Sequence, residues 1–327
     1  MPRQDGVPNC GTQDRIDAAL GHRVSLRHRI GEREGRPLYT DAVGTLSSDG
    51  DGTLVVDTRR GEVRVERAAV AALRVVPPAP ARRASWSAVA HLENLCADGW
   101  PALVDEPLGA WRLRAADGFS GRANSALAIG DPGVPPPAAL DRVRTFAAAH
   151  GIPARLQTPV GSPWSAGAQR AGWTLDTGHE AGAEVAVLVM ELTALAGPAS
   201  GVTIGQEPGD DWWSVTGAPT GPAERHVLTA AAAPGYGTAH TAGRPVGAVR
   251  AAVVEDHLYL SRLAVLPDAR RGGTGTALTR AAAGWGLERG ARWAVLQVAL
   301  ANTGARAFYE RLGATEHHRY HYLVPAT

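Results

Sequence analysis

The chain has 327 residues, of which 44% are hydrophobic and 20% charged, and its formal net charge at pH 7 is +1. This length predicts two or three domains of about 100 to 200 residues each, and the near-neutral charge gives no general argument for nucleic-acid binding. No run of about 18 apolar residues predicts a membrane span, and the N-terminal segment lacks the apolar core of a secretory signal. We therefore expect a cytoplasmic protein without membrane attachment.

Cysteine and lysine usage narrow the class of protein further. The two cysteines, Cys10 and Cys96, are too few for a disulfide framework or a cysteine-rich zinc site. The chain has no lysine, so arginine carries its permanent basic charge. Together with the many alanines, glycines and prolines, we interpret this as a compositional bias rather than a sign of function.

Short alternating runs predict a small all-β domain in residues 1–80. Val24, Leu26, His28 and Ile30 share one face of its first strand. Glycine-containing turns separate further predicted strands at residues 40–46, 53–57 and 62–65. Strands of this number and length are typical of an SH3-like barrel. Arginines on the opposite face would suit nucleic acid, but acidic residues nearly balance them within the domain, which favours a solvated face.

Two joins divide the chain. Residues 77–83 form a proline-rich, extended linker, and a second glycine- and proline-containing join lies at residues 196–198. Predicted helices and strands alternate on both sides of the second join. We therefore predict three domains: a barrel at 1–80 and two α/β domains at 84–196 and 198–327.

An internal repeat relates the two α/β domains. Residues 151–173 resemble residues 290–314, and a Leu-Gln pair stands at corresponding positions, 156–157 and 296–297. Self-similarity of this kind indicates a duplicated structural unit. We predict that the two domains are copies of one fold.

A strand that runs into a glycine-rich turn and then a helix lies in the C-terminal third of the chain. The strand ends at residues 263–265, and Gly272, Gly273 and Gly275 leave the turn without side chains. Helical spacing of apolar residues begins at Ala277. Backbone N–H groups and the positive end of the helix dipole would converge there on an anion such as a phosphate.

The turn also carries an ordered motif, Val265-x-Pro267-x-x-Arg270-x-x-Gly273-x-Gly275. It resembles the acetyl-CoA loop of the GNAT superfamily of acetyltransferases, whose signature is R/Q-x-x-G-x-G/A after a strand. It differs from the dinucleotide-binding order G-x-G-x-x-G, and a glycine loop alone is a weak signal.

A second motif follows at the expected distance. The strand predicted at residues 296–298 precedes the order Asn302-x-x-Ala305-x-x-x-Tyr309-x-x-x-Gly313. This order resembles the second GNAT motif, a strand followed by a helix that ends in a glycine. The two motifs together are specific.

The resemblance implies a fold and a co-substrate. Each copy is expected to be a mixed α/β GNAT domain with a mostly antiparallel sheet and flanking helices, as in tandem GNAT proteins of an actinobacterial type. Acetyl-CoA is the implied co-substrate, with no metal, and its acetyl group would pass directly to an amine of a small molecule or a protein. The implied cofactor-binding residues are Leu263, Ala264, Val265, Arg270, Arg271, Gly272, Gly273, Thr274, Gly275, Thr276 and Asn302.

Tyr309 is the catalytic residue that the resemblance implies. An unperturbed tyrosine has a pKa of about 10, so its hydroxyl could protonate the departing CoA thiolate or donate a hydrogen bond to the sulfur. Against this, Ala305, Phe308, Tyr309 and Leu312 form an apolar helical stripe that is also typical of a core. The motif favours the functional interpretation.

The first copy lacks these features. Where its phosphate loop should lie, residues 131–137 contain four prolines, which have no N–H group, and no arginine-led glycine motif. Gln169 stands near the place that Tyr309 has in the second copy. We therefore predict that the first copy is a degenerate, structural half and that acetyl-CoA binds the second copy alone.

Two features depart from the GNAT pattern. The strand at residues 258–262 has no glutamate, where many relatives carry a general base. Glu255 and Asp256 are close in sequence, but we place them in the preceding hairpin turn, which leaves a water chain or no base at all. Ala314 replaces the aromatic residue that usually follows the glycine Gly313, which affects packing more than chemistry.

Two clusters admit more than one interpretation. Residues 210–213, two aspartates and two tryptophans, could line the acceptor site or form an acidic helix start with packing tryptophans. Residues 317–322 contain three histidines, but alternation on a strand places His317 and His321 opposite His318. No cysteine or carboxylate pattern completes a zinc site there, so we favour a final strand of the sheet.

Three functions stay open. The leading hypothesis is an acetyl-CoA-dependent N-acetyltransferase acting on an amine. The second is a GNAT-fold module that binds acetyl-CoA as a regulator without turnover, because the strand glutamate is missing. The third is an RNA- or ribosome-associated adaptor that works through the N-terminal barrel, although nucleic acid is the less favoured partner. The sequence names neither the acceptor nor the oligomeric state.

Overall fold

The computed structural model describes residues 10–50, 52–58, 60–76, 84–179 and 182–326. Two compact units divide the chain, Met1–Arg82 and Arg83–Thr327. The linker predicted at residues 77–83 lies outside the described residues. None of the helices in the described ranges is long and apolar enough to cross a membrane.

The first unit is a five-stranded antiparallel sheet, which confirms the prediction of a small all-β domain. The strands lie in the order β4-β3-β2-β1-β5, and a short helix and the last strand were not predicted. Apolar side chains on one face of the sheet form the core with residues of that helix. The elements are α1 (Cys10–Asp17), β1 (Arg23–Arg33), β2 (Arg36–Ser48), β3 (Thr53–Thr58), β4 (Gly61–Glu66) and β5 (Val70–Val75).

The predicted alternation on β1 holds for three residues and fails at the fourth. Val24, Leu26 and His28 are buried, whereas Ile30 is 61% exposed. The register against β2 shifts between Arg29 and Gly31, so Ile30 is the extra residue of a β-bulge. A bulge reverses the facing of the residues beyond it, which a strict period of two cannot anticipate.

The second unit contains the remaining helices and strands of the described chain. Those of its first copy are α2 (Trp86–Gly99), β6 (Val104–Leu108), β7 (Trp111–Ala115), β8 (Ala126–Leu127), α3 (Pro136–Ala149), β9 (Leu156–Pro159), α4 (Pro163–Arg170), β10 (Trp173–Leu175), β11 (Glu184–Glu191) and α5 (Leu192–Leu195). Those of its second copy are β12 (Val202–Gly205), α6 (Asp210–Thr216), α7 (Pro222–Thr229), β13 (Pro234–Thr241), β14 (Arg244–Val254), β15 (His257–Val265), α8 (Thr274–Leu287), β16 (Trp293–Ala299), α9 (Thr303–Arg311) and β17 (Thr315–Pro325).

One continuous sheet runs through this unit, in the order β12-β13-β14-β15-β16-β11-β17-β9-β8-β7-β6, with β10 beside β17. Most neighbouring strands are antiparallel, as predicted. Within the described residues the two parallel pairs are β8 with β9 and β15 with β16, and a helix connects the strands of each pair. The duplication is therefore visible as two equivalent strand–helix–strand units, built around α3 and α8.

The two copies exchange their last strands. β11 belongs to the first copy in sequence, but it pairs with β16 and β17 of the second. β17 in turn pairs with β9 and β10 of the first copy. The domains predicted at 84–196 and 198–327 are therefore not separate compact units, because one sheet contains strands from both sides of the join at residues 196–198.

Alternation along β15 separates the two faces of this sheet. Leu258 and Leu260 face the core that contains residues of α8 and α9, whereas Tyr259 faces the core that contains residues of α2 and α6. The strand β15 is therefore buried on both faces at these positions.

Candidate active site

The end of β15 separates from its parallel neighbour. The pairing of β15 with β16 ends at Tyr259 and Val295, whereas its pairing with β14 continues to Val265. The register with β14 shifts near Arg262, a residue with a positive φ of 52°. The bulge and the divergence open a cleft in the sheet beside residues 263–265.

The glycine-rich turn and the start of α8 close one side of this cleft. Gly273 has the left-handed φ of 84° and caps α8, and nothing lies near the Cβ that a larger residue would add, so the backbone conformation explains the glycine. The helix begins at Thr274, three residues earlier than predicted. The N–H groups of Thr274, Gly275 and Thr276 precede the first helical bond, from Ala277 to the Gly273 carbonyl at 2.9 Å, and are free for an anion.

A cavity of about 930 Å³ lies between these elements and α9. Most of the residues predicted to bind the cofactor line it, and so does Tyr309. Gly272 and Asn302 do not line it. The predicted residues along its wall are Leu263, Ala264, Val265, Arg270, Arg271, Gly273, Thr274, Gly275 and Thr276.

Tyr309 belongs both to the core and to the cavity wall. Its side chain is 7% exposed and packs in the core that contains α8, with the ring of Phe308 at 4.9 Å between centroids. Burial raises the pKa of its hydroxyl, so the group stays protonated at neutral pH. No described residue hydrogen-bonds this hydroxyl, so a ligand in the cavity can accept a hydrogen bond from it.

Two predicted cofactor residues have structural hydrogen bonds. Asn302 caps α9, and its side-chain oxygen accepts from the Ala305 N–H at 3.0 Å. Arg270 donates from Nε to the Val265 carbonyl at 3.0 Å, which ties the turn to the end of β15. Direct contact of either side chain with a cofactor stays a prediction.

The predicted acceptor-site cluster at residues 210–213 lies on α6, and its members have different environments. Trp212 is fully buried, and its indole N–H donates to the Val249 carbonyl at 3.0 Å. Asp211 lies 2.9 Å from His240. Trp212 is therefore a packing residue. At the end of α6, Val215 forms part of the cavity wall. The carbonyl of the next residue, Thr216, accepts a hydrogen bond from Arg262 at 2.7 Å.

A second cavity of about 590 Å³ lies where β15 and β16 diverge, and we did not predict it. Arg122 and Arg155 of the first copy line it together with Arg262 of β15 and Gln297 of β16. Arg122 follows β7 in an irregular segment, where no motif marks it in the sequence. The strand exchange brings these residues of both copies to one place, and that exchange leaves no local signal.

The structure also contains a buried polar network that the sequence did not predict. Glu93 of α2 is buried and lies 2.8 Å from His318 Nε2 and 2.6 Å from the side-chain nitrogen of Gln157. A bulge between Glu316 and His318 leaves His317 without a partner position on β11, and the nearest ring nitrogens of His317 and His318 are 2.7 Å apart. The predicted opposite facing of these two histidines is therefore wrong. Within the described ranges no three histidine, cysteine or acidic side chains are grouped to hold a metal.

Two family models match the chain. The model described as Rv0428c N-terminal Sm-like domain matches residues 18–74. The model described as Probable histone acetyltransferase Rv0428c C-terminal matches residues 86–323. The first agrees with the predicted small barrel and specifies an Sm-like type, and the second covers both α/β copies as one domain.

Two individual proteins illustrate the similarity. The probable histone acetyltransferase Rv0428c of Mycobacterium tuberculosis (strain ATCC 25618 / H37Rv) is 40% identical over 111 residues, which are 34% of this chain. The match spans 35% of the length of that curated relative. A solved GCN5-related N-acetyltransferase from Kribbella flavida is 20% identical, with a TM-score of 0.53 over 76% of this chain and 97% of its own. This second likeness supports the GNAT fold.

Proposed function

This chain belongs to the Rv0428c family of tandem GNAT acetyltransferases, and we propose that it transfers the acetyl group of acetyl-CoA to an amine. The observation that carries the proposal is the cavity of about 930 Å³. In it a diverging strand end, an open helix N-terminus and the Tyr309 hydroxyl face one space. These are the three elements that a phosphate-bearing thioester needs.

Phosphate binding would fall to the start of α8. Three free N–H groups at Thr274, Gly275 and Thr276 point along a helix of 14 residues, whose dipole favours negative charge at this end. Arg271 lies at the cavity wall beside them and adds a permanent positive charge. The extended arm of the cofactor would run along residues 263–265, where β15 has left its neighbour and can pair with an amide-containing ligand.

The proposed reaction is direct. The neutral amine nitrogen attacks the thioester carbon, the C–S bond breaks, and the amine proton passes to water. The Val265 N–H would stabilise the negative charge that develops on the carbonyl oxygen. A covalent acyl-enzyme finds no support at Cys96, because burial raises the pKa of that thiol well above its usual value and keeps the nucleophilic thiolate scarce.

Tyr309 would donate a hydrogen bond to the departing sulfur. A thiol has a pKa of about 8.5, and burial raises the pKa of Tyr309 beyond that of an ordinary phenol. Complete proton transfer to the thiolate would therefore be uphill, whereas a hydrogen bond to the developing charge is favourable. This refines the role of general acid to that of a sulfur-stabilising donor.

The structure offers no carboxylate base on β15. Glu255 and Asp256 lie in the turn before the strand, about 30 Å from its far end at a rise of about 3.3 Å per residue. Water must then accept the amine proton, so we expect the rate to rise with pH as the acceptor becomes neutral.

The test measures binding and turnover separately. Calorimetry with acetyl-CoA should give one site per chain, and CoA release should follow addition of a suitable amine. Binding without CoA release from any amine would favour the regulatory alternative. Absence of binding at one equivalent would overturn the proposal.

A further inference from the structure

The described residues that line the second cavity include three arginines and no carboxylate. Arg155 is paired with Asp176 at 2.7 Å. Arg122 and Arg262 also line the cavity, and no carboxylate of the described residues lies within ion-pair distance of either. Arg122 donates instead to the Tyr259 hydroxyl at 2.8 Å and to Gln297 at 3.2 Å.

A further arginine, Arg250, lies close to Arg122. The guanidinium carbons of Arg122 and Arg250 lie 4.9 and 5.1 Å from the centre of the same Trp100 ring. Arg250 is fully buried and donates to backbone carbonyls, at 2.7 Å to Leu228 and 2.8 Å to Gly99. Buried charge without a counter-ion is costly, so a ligand that brings negative charge would be favoured.

The place of the cavity connects it to the proposed reaction. Arg262 lines this cavity, and the next residue, Leu263, lines the cavity that we assign to acetyl-CoA. Gln297 and Ala299 reach the same space from β16, beyond the point where the two strands separate. A molecule bound here would lie beside the thioester.

We propose that this cavity is the acceptor site and that it selects amines carrying a carboxylate or a phosphate, held by Arg122 and Arg262. This inference rests on the proposed acetyltransferase function. Within the described part of the chain, the Arg262 side chain has one hydrogen bond, to the Thr216 carbonyl at 2.7 Å, so further guanidinium donors are available to an anion. Burial lowers the pKa of Arg262, and the charge of Glu224 acts in the opposite direction.

The proposal predicts that basic protein tails are poor acceptors for this chain. A lysine-rich tail would bring positive charge toward Arg122 and Arg262, which have no ion-pair partner among the described residues, and like charges repel. The first copy also gains a role, because it supplies Arg122 and Arg155 to the acceptor site although its own loop is closed. Both copies are then needed for substrate selection.

The experiment compares matched acceptors by CoA release. Each pair differs in one charged group: an amino acid and its carboxamide, an amino sugar phosphate and the unphosphorylated amino sugar. A lysine-rich histone-tail peptide is the cationic member. We expect kcat/KM for at least one anionic acceptor to exceed that for its neutral partner about tenfold or more, and the responding pair identifies carboxylate or phosphate.

Substitutions at Arg262 test the assignment. Arg262→Gln should reduce the anionic preference to less than about threefold, and Arg262→Lys, which keeps the charge, should restore part of it. The Kd of acetyl-CoA should stay unchanged in both. Arg142→Gln is the control, because Arg142 is exposed on α3 and lines neither cavity, so it removes the same charge without affecting the preference.

Failure of the inference differs from failure of the proposed function. Turnover in which neutral amines or the histone-tail peptide equal or exceed the anionic acceptors would overturn the anion site alone. Where no amine is turned over, calorimetric titration of the anionic acceptors, with and without saturating CoA, decides the matter. Binding that Arg262→Gln abolishes supports the site, and absence of binding in both titrations overturns it.

Discussion

The two copies of the α/β fold differ most where a strand meets its helix. In each copy a parallel strand pair encloses a helix of 14 residues, α3 or α8. Before α8 the turn ends in Gly273 and leaves three N–H groups unpaired. Before α3 it ends in Pro135, followed by Pro136, so proline rings stand where donors would be. The same frame thus forms an anion site in one copy and a closed junction in the other.

The turn of the first copy also satisfies its own polar groups. The Asp131 carbonyl accepts from the Ala110 N–H at 2.7 Å, and the Asp131 side chain accepts from the Gly133 N–H at 2.9 Å. The neighbouring cavity is about 460 Å³ and has Trp86, Ile129 and further apolar residues along its wall. A phosphate would find few donors there. The difference teaches that the availability of backbone donors decides whether this fold binds an anion.

Separating the copies should have the largest effect, because they share strands. A fragment of residues 198–327 lacks β11. This strand lies between β16 and β17 of the second copy and pairs with them at seven and six positions, respectively. We expect this fragment to lose its cooperative fold, a loss on the scale of a whole domain, about 5–15 kcal/mol. Thermal unfolding followed by circular dichroism measures it.

The control for this truncation is a fragment of residues 84–327, which retains both exchanged strands and should unfold cooperatively. A fragment 198–327 that unfolds with the same midpoint and binds acetyl-CoA equally well would show that the strand exchange is dispensable.

Removal of the Tyr309 hydroxyl comes next. Tyr309→Phe keeps the ring in the core and deletes the group that we place near the sulfur. Loss of one hydrogen-bond donor to the developing charge should lower kcat on the order of a hundredfold, about 2.7 kcal/mol of transition-state stabilisation, with the Kd of acetyl-CoA unchanged. Steady-state CoA release and calorimetry measure the two quantities.

Tyr236→Phe is the matched control, because the buried Tyr236 hydroxyl donates to the Leu228 carbonyl at 2.8 Å and lines neither cavity. It should lower Tm and leave kcat alone. A Tyr309→Phe enzyme within about threefold of the original kcat, less than about 0.7 kcal/mol, would return Tyr309 to a purely structural role.

Gly275→Pro places a proline in the first turn of α8, where α3 of the first copy also has prolines. Proline is tolerated in the first turn of a helix, where its N–H would have no helical partner. One donor to the phosphate is nevertheless lost, so we expect the Kd of acetyl-CoA to rise about tenfold or more, in line with 1.5–3 kcal/mol for a charge-assisted hydrogen bond. Calorimetry checks this.

The reciprocal change at the same helix position, Pro137→Ala, restores an N–H in the first turn of α3 and serves as the control. It should create no second acetyl-CoA site, because the Asp131 contacts and the other prolines remain. Unchanged acetyl-CoA affinity in a folded Gly275→Pro protein would contradict the assignment of the phosphate cradle.

Local patterns predicted the parts of this fold that depend on local chemistry. The motif from Val265 to Gly275 located the turn, and alternation located most strands, because glycine conformations and side-chain facing are set within a few residues. The exchange of β11 and β17 was not predictable in this way. β11 is apolar enough for a central position, whereas β17 begins with polar residues. The choice of neighbour of each strand depends on residues more than 100 positions away.

For the site as well, the sequence predicted only the part that is formed by neighbouring residues. The cofactor side could be found from the sequence because its donors are consecutive backbone groups. Arg122, Glu93 and Gln297 could not, because they come from separate elements and meet only when both copies share one sheet. A single sequence carries no signal for such a meeting, since each residue has an ordinary local environment.

Asn302 should show the smallest effect, and one that separates capping from cofactor contact. The first copy has a matched position: Ser162 caps α4 by accepting from the Ser165 N–H at 3.0 Å, as Asn302 caps α9. Asn302→Ala should cost about 1 kcal/mol in the free energy of unfolding, and Ser162→Ala should cost more, because the Ser162 hydroxyl also hydrogen-bonds the buried Thr158 hydroxyl at 2.9 Å. Denaturant titration measures both. Neither should change the Kd of acetyl-CoA if capping is the whole role. Should Asn302→Ala weaken acetyl-CoA binding severalfold while Ser162→Ala leaves it unchanged, Asn302 would also contact the cofactor, as the motif predicted.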